Sequence, residues 1–156
     1  MMHHSLVGAA IGALCLLATL PVTAQEASAE AQELFALNLY HEARSEGEEG
    51  MRLIGHVVLN RVASDEFPNE VAAVITQERG NSCEFRWYCD GRSDTPDQDP
   101  ELYALAEQIT SEMLDGDAGD DPTNGALWFH EDFRDTPAFL RDRERTAHIG
   151  THYFYK

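Results

Sequence analysis

Lysine is all but missing from this chain: the single residue is Lys156, at the end. Lys and Arg together number 11 against 28 Asp and Glu, a formal net charge of −17. A surface of that sign repels phosphate backbones, which argues against nucleic acid as a partner. Its plainest role is solubility. Cysteine is scarce too, with three in 156 residues. The C-x5-C spacing of Cys83 and Cys89 is not a zinc-knuckle spacing, and no nearby His completes a ligand set. His41-Glu42 starts an HExxH pattern, but Ser45 stands where the second His is needed. There is no G-x-S-x-G nucleophile motif, no internal repeat and no low-complexity tract. Neither a metal nor another cofactor is expected.

Charge is also missing from the first stretch. Met1 to Pro21 carry no acid, Lys or Arg, and residues 5–20 are apolar. That run is short of the ~20 residues of a spanning helix. With the small residues of Val22-Thr-Ala24 behind it, it reads as a signal peptide over residues 1–24, cleaved before Gln25. The expected product is one domain, residues 25–156, periplasmic or secreted, with no stable membrane insertion after cleavage. It keeps Cys83 and Cys89, and an even pair in an exported protein predicts a disulfide. Its six-residue span limits the entropic gain to roughly 2 kcal/mol, so it pins a loop more than it holds the fold.

Periodicity organises the rest. Residues 25–32 read as a loose start, and residues 33–45 as a helix on which Phe35, Leu39, Glu42 and Glu46 share a face. Gly47 to Gly50 interrupts it. Residues 51–63 form a second helix with Met51, Ile54, Val58 and Val62 inward. A short helix follows over 69–76. Residues 77–98 form an irregular, cysteine-bridged loop. Asp99-Pro100 starts a helix that Gly116 ends. The acids of residues 115–124 miss the EF-hand spacing and read as a solvated loop. Strands are expected at 126–130, 146–149 and 152–155, the last two joined by a Gly150-Thr151 turn. The fold class is α+β: mostly helical, with a small C-terminal antiparallel sheet.

Glu42 stands out because it extends a core-facing stripe. Desolvation there raises a carboxyl pKa. A carboxylic acid that stays protonated near neutral pH can protonate a leaving oxygen, as in glycoside cleavage. Spacing alone favours the other reading, the polar end of an amphipathic helix with Glu42 paired to an Arg.

Several fragments, in order, tip that balance: HEARSEGEEG (41–50), GHVVLNRV (55–62), FPNEVAAVI (67–75), CEFRWYCDG (83–91), GALWFH (125–130) and TAHIGTHYFY (146–155). Together they resemble the SleB-type cell-wall hydrolases, the spore-cortex-lytic enzymes and their relatives. The resemblance runs over about residues 34–156. It implies a lysozyme-like catalytic domain acting on peptidoglycan between N-acetylmuramic acid and N-acetylglucosamine. The glutamate of the family's Glu-Ala-Arg motif corresponds to Glu42, as acid and then base of a lytic transglycosylase. Glu46, Trp87, Tyr88, His130, His152 and Tyr153 fall in the matching motifs as substrate-binding candidates. Trp128 sits with them but reads as core. Strand alternation puts His152 and Phe154 on one face, Tyr153 and Tyr155 on the other, so only one set can line a groove. A hydrolytic muramidase and a non-catalytic wall-binding domain of the same fold remain open.

Overall fold

The computed structural model describes residues 24–156, with side chains from residue 28. The predicted signal segment, Cys15 included, lies outside them apart from Ala24. The first element is a long helix, α1 (Ala24–Ala43). Residues 25–32 are therefore helical rather than loose. Their Ala, Glu and Gln content favours helix.

The next boundary also differs from expectation. α1 stops at Ala43, and a single 3-10 turn, Arg44–Glu46, leads into α2 (Gly47–Val62). Gly47 starts a helix instead of breaking one. It sits at φ 65° and ψ −152°, a conformation open to glycine. Glu48 and Glu49 then occupy the first turn of α2, where the helix dipole favours acids.

α3 (Val71–Ile75) is short. The loop after it is more ordered than its composition predicts. It holds a two-residue antiparallel ladder, β1 (Glu78–Arg79) with β2 (Ser82–Cys83), and a 3-10 turn at Arg86–Cys89. Cys83 and Cys89 are bridged there, their Cα atoms 6.0 Å apart. α4 (Pro100–Leu114) starts as expected: Asp99 caps it by accepting from the Leu102 amide at 3.1 Å.

The acidic loop is only partly solvated. Asp121 accepts from the Thr123 and Gly125 amides at 2.8 and 2.7 Å and from Asn60 Nδ2 at 2.9 Å. It is the knot that leads the chain into the sheet. That sheet contains β3 (Trp128–Glu131), β4 (Arg145–Ile149) and β5 (His152–Tyr155), in the order β3-β5-β4, all antiparallel.

α1 packs against α2, α3 and α4. Phe35, Leu39 and Tyr40 of α1 meet Met51, Ile54 and Val58 of α2, and Ile109 and Met113 of α4, in one core that reaches Leu127, Trp128 and Tyr155. Gly55 permits the close approach of α2 to α4: a Cβ there would lie 2.4 Å from Met113 Sδ. Leu53, Val57, Ala126 and Phe154 seal the other side of α2 against the sheet. The last turn of α1 thus faces the start of β3. No helix among the described residues is long and apolar enough to cross a membrane.

Candidate active site

A cleft of about 390 Å³ opens where the ends of α1 and α2 meet β3. Its charged lining is balanced: Glu42, Glu84 and Glu131 against Arg61, Arg86 and Arg134. Two of the three acids are taken. Glu84 bonds Arg61 at 3.0 Å and Arg79 at 2.6 Å, and Glu131 pairs with Arg134. Among the described residues, the Glu42 carboxyl enters no hydrogen bond or ion pair. Burial pushes its pKa up from 4.5 to about 7; Arg61 pulls it down and Glu131 raises it further. The group is half-buried, so it is dry enough to hold a proton yet open to a ligand. A carboxylic acid in this setting can donate a proton near neutrality and then accept one.

Arg61 is fixed rather than free. It is 3% exposed, its Nε donates to the Leu127 carbonyl at 2.8 Å, and its guanidinium lies over Phe67 and Phe85. Burial lowers its pKa to about 10, with Glu84 opposing the shift. It remains a cation, tying α2 to the entrance of β3.

Glu46 departs from the expected stripe. A 3-10 turn advances about three residues per turn, and α1 has already ended, so Glu46 no longer follows Glu42. It does not line the Glu42 cleft. Thr151 Oγ1 donates to its Oε1, and His152 Nδ1 lies 3.1 Å from the same atom. Glu46 binds the β4–β5 turn.

Comparison with known proteins identifies the family and the fold. A family model described as Cell Wall Hydrolase matches residues 45–155. The chain belongs to the cell-wall hydrolase family. It is 31% identical over 125 residues to a spore cortex-lytic enzyme of Bacillus cereus, covering 80% of this chain and 43% of that one. It is 33% identical over 122 residues to that of Bacillus subtilis (strain 168), covering 78% and 36%. It therefore spans less than half the length of these relatives. Among solved structures, the catalytic domain of the Bacillus cereus SleB protein matches with a TM-score of 0.62 at 30% identity, covering 82% of this chain and 91% of that one. The catalytic domain of the germination-specific lytic transglycosylase SleB from Bacillus anthracis matches with a TM-score of 0.63 at 28% identity, covering 81% and 94%. The mostly helical fold with a small C-terminal sheet is thus that of the SleB catalytic domain.

In this member of the family the other candidates spread over several places. Trp87 is 8% exposed, donates its indole N–H to Asn38 Oδ1 at 2.9 Å and stacks on His41 with ring centroids 5.0 Å apart. It is structural on one face and borders a separate polar pocket with His41 and Arg44 on the other. Tyr88 meets it edge-on and is 40% exposed. His130 pairs with Tyr153 in register and Glu131 with His152, so alternation puts His130 and Tyr153 on the sheet face opposite His152. His130 Nε2 lies 3.0 Å from the Tyr155 hydroxyl, and His148 packs on Tyr153 at 4.3 Å. None of Tyr88, His130, His152 and Tyr153 lines the Glu42 cleft.

The cleft instead uses Glu131, Glu84 and Phe139, which sequence reasoning passes over. A signal for Glu131 exists. It lies two residues after Phe129 in a strand, hence on the same side, and an acid there contrasts with the aromatic run before it.

Proposed function

We propose that this domain cleaves peptidoglycan glycan strands between N-acetylmuramic acid and N-acetylglucosamine, as a lytic transglycosylase with Glu42 as acid and base. The observation that carries this is the unpaired Glu42 carboxyl, with its pKa raised to about 7, in a cleft whose other acids are bound by arginines. Protonated Glu42 donates to the glycosidic oxygen, and the C1–O bond breaks as positive charge develops on the muramoyl ring. The Glu131 carboxylate is close enough to act on Glu42 electrostatically, and its negative charge favours that cation as well. Glu42, now a carboxylate, takes the proton of the muramoyl 6-hydroxyl, whose oxygen closes onto C1. A 1,6-anhydro end forms, no water is consumed, and Glu42 is protonated again. One carboxyl serves both steps. The resemblance to a germination-specific lytic transglycosylase supports the same chemistry.

The catalytic unit in this reading is residues 25–156, acting outside the cytoplasm after loss of the signal segment. Cys83–Cys89 steadies the loop behind the cleft. Glu131 also favours a second reading: a carboxylate on the same cleft can position a water, giving a hydrolytic muramidase.

Digestion of denuded peptidoglycan by the purified protein, with products read by mass spectrometry, tests the proposal. Anhydro-muropeptides, lighter by one water than hydrolytic products, are expected. Glu42→Gln should lower their release by roughly 10²- to 10⁴-fold. Reducing ends instead of anhydro ends would select the muramidase. A folded protein that binds the wall and releases nothing would select a binding domain.

A further inference from the structure

Four aromatic rings line the Glu42 cleft: Phe85, Trp128, Phe129 and Phe139. Three of them are occupied by the protein itself. Phe85 is 2% exposed and lies beneath Arg61. Trp128 is 7% exposed, with the Arg143 guanidinium 3.2 Å from its ring centroid and Phe67 tilted against it. Phe129 packs edge-on to His152 and beside Phe154. Phe139 is different: it is 64% exposed. A single exposed Phe is unremarkable, and Phe133 at 70% is such a case outside this cleft. A free aromatic face on the wall of a cleft that also holds an unpaired acid points to a ligand.

The backbone presents this ring firmly. Phe139 sits in the 3-10 turn Ala138–Leu140, between Pro137 and the buried Leu140. The Leu140 amide donates to the Pro137 carbonyl at 3.0 Å, and the Arg143 amide to the Leu140 carbonyl at 3.2 Å. Leu140 anchors the turn in the core and so holds its neighbour outward. A phenyl side chain has two rotatable bonds, so ordering it against a ligand costs little entropy.

We propose that Phe139 is the stacking platform of this cleft, taking the apolar C–H face of a pyranose ring beside the bond that Glu42 cleaves. This rests on the glycan-cleaving reading of the cleft. A sugar offers one face of C–H groups to the negative face of the phenyl ring and keeps its hydroxyls for the surrounding charged residues. Phe139 is a positioning residue and does not touch the proton in flight. Trp87, a sequence candidate, stacks on His41 and borders a different pocket, and Trp128 is covered by Arg143.

Two measurements test this. The first is co-sedimentation of the Glu42→Gln protein with insoluble denuded peptidoglycan, with and without Phe139→Ala. The second is the rate of wild-type, Phe139→Ala, Phe139→Leu and Phe139→Trp proteins against peptidoglycan concentration. Phe139→Ala should weaken binding and raise the apparent KM by roughly three- to tenfold, with kcat little changed. Phe139→Trp should restore both, and Phe139→Leu should not, because an apolar but non-planar side chain lacks the flat face. Thermal midpoints should stay together, since so exposed a ring contributes little to the core. Unchanged binding in Phe139→Ala, or full rescue by Leu, would overturn the platform while leaving Glu42 chemistry intact. Phe139-dependent binding without any product would uphold the platform and defeat the cleavage reading. No binding by the Glu42→Gln protein would overturn the platform too.

Discussion

Glu42 holds its proton to about pH 7 because burial outweighs the attraction of Arg61. Activity that needs the acid form should therefore fall as pH rises through about 7. Glu131 adds to the shift, so Glu131→Gln should move this alkaline limb to lower pH; a limb that stays in place would mean that Glu131 does not act on the acid. The stability consequence has a definite sign. A carboxyl whose pKa is raised on folding binds more protons when folded, so stability declines as pH rises from about 4.5 to about 7. Glu42→Gln removes that penalty and should stabilise the protein above pH 7, by of order 1–2 kcal/mol for a half-buried group, and not below pH 4.5. Denaturant midpoints at pH 4 and pH 8 check it. Steps from Phe35 and Leu39 made the place of Glu42 on the buried stripe legible in the sequence, but spacing alone did not single it out as an acid. Glu131 was not, because a strand's alternation says which residues share a side but not which side meets the cleft.

The join between α1 and α2 illustrates what helix periodicity misses. Apolar spacing locates both helices, but the turn between them depends on Gly47 at positive φ and on Glu46 finding Thr151 and His152 across the molecule. Gly50 makes room for that bond. A Cβ on Gly50 would lie 2.4 Å from Glu46 Cβ and 2.8 Å from its Oε2. Gly50→Ala should thus destabilise by about 1–3 kcal/mol through overpacking, despite the better helix propensity of alanine. A melting temperature lowered by several degrees is the expected reading, and an unchanged one would show that Glu46 can leave the β4–β5 turn freely. The strands were legible for the opposite reason: β-branched and aromatic residues between Gly-containing turns need no distant partner to be recognised. The β1–β2 ladder was hidden because two paired residues leave no period to count.

Across the whole molecule, acids exceed basic residues by 17 charges. Such a surface repels itself, and salt screens the repulsion over about 10 Å at 0.1 M. Raising NaCl from 0.05 to 0.5 M should raise the thermal midpoint; a fall would mean that attractive surface pairs such as Arg52–Glu48 and Arg52–Glu112 outweigh the net charge. Composition made that balance legible, but not its local exceptions, among them Asp121, whose bonds run to one turn and to Asn60. The direction of α1 adds something composition cannot hold. Its twenty residues end at Ala43, one residue beyond Glu42. Their peptide dipoles line up so that the negative pole falls at the cleft. An anion is the wrong guest there, and a neutral acid the right one. The helix that carries the carboxyl to the cleft also opposes its ionisation, so backbone direction and dryness act together on the same proton.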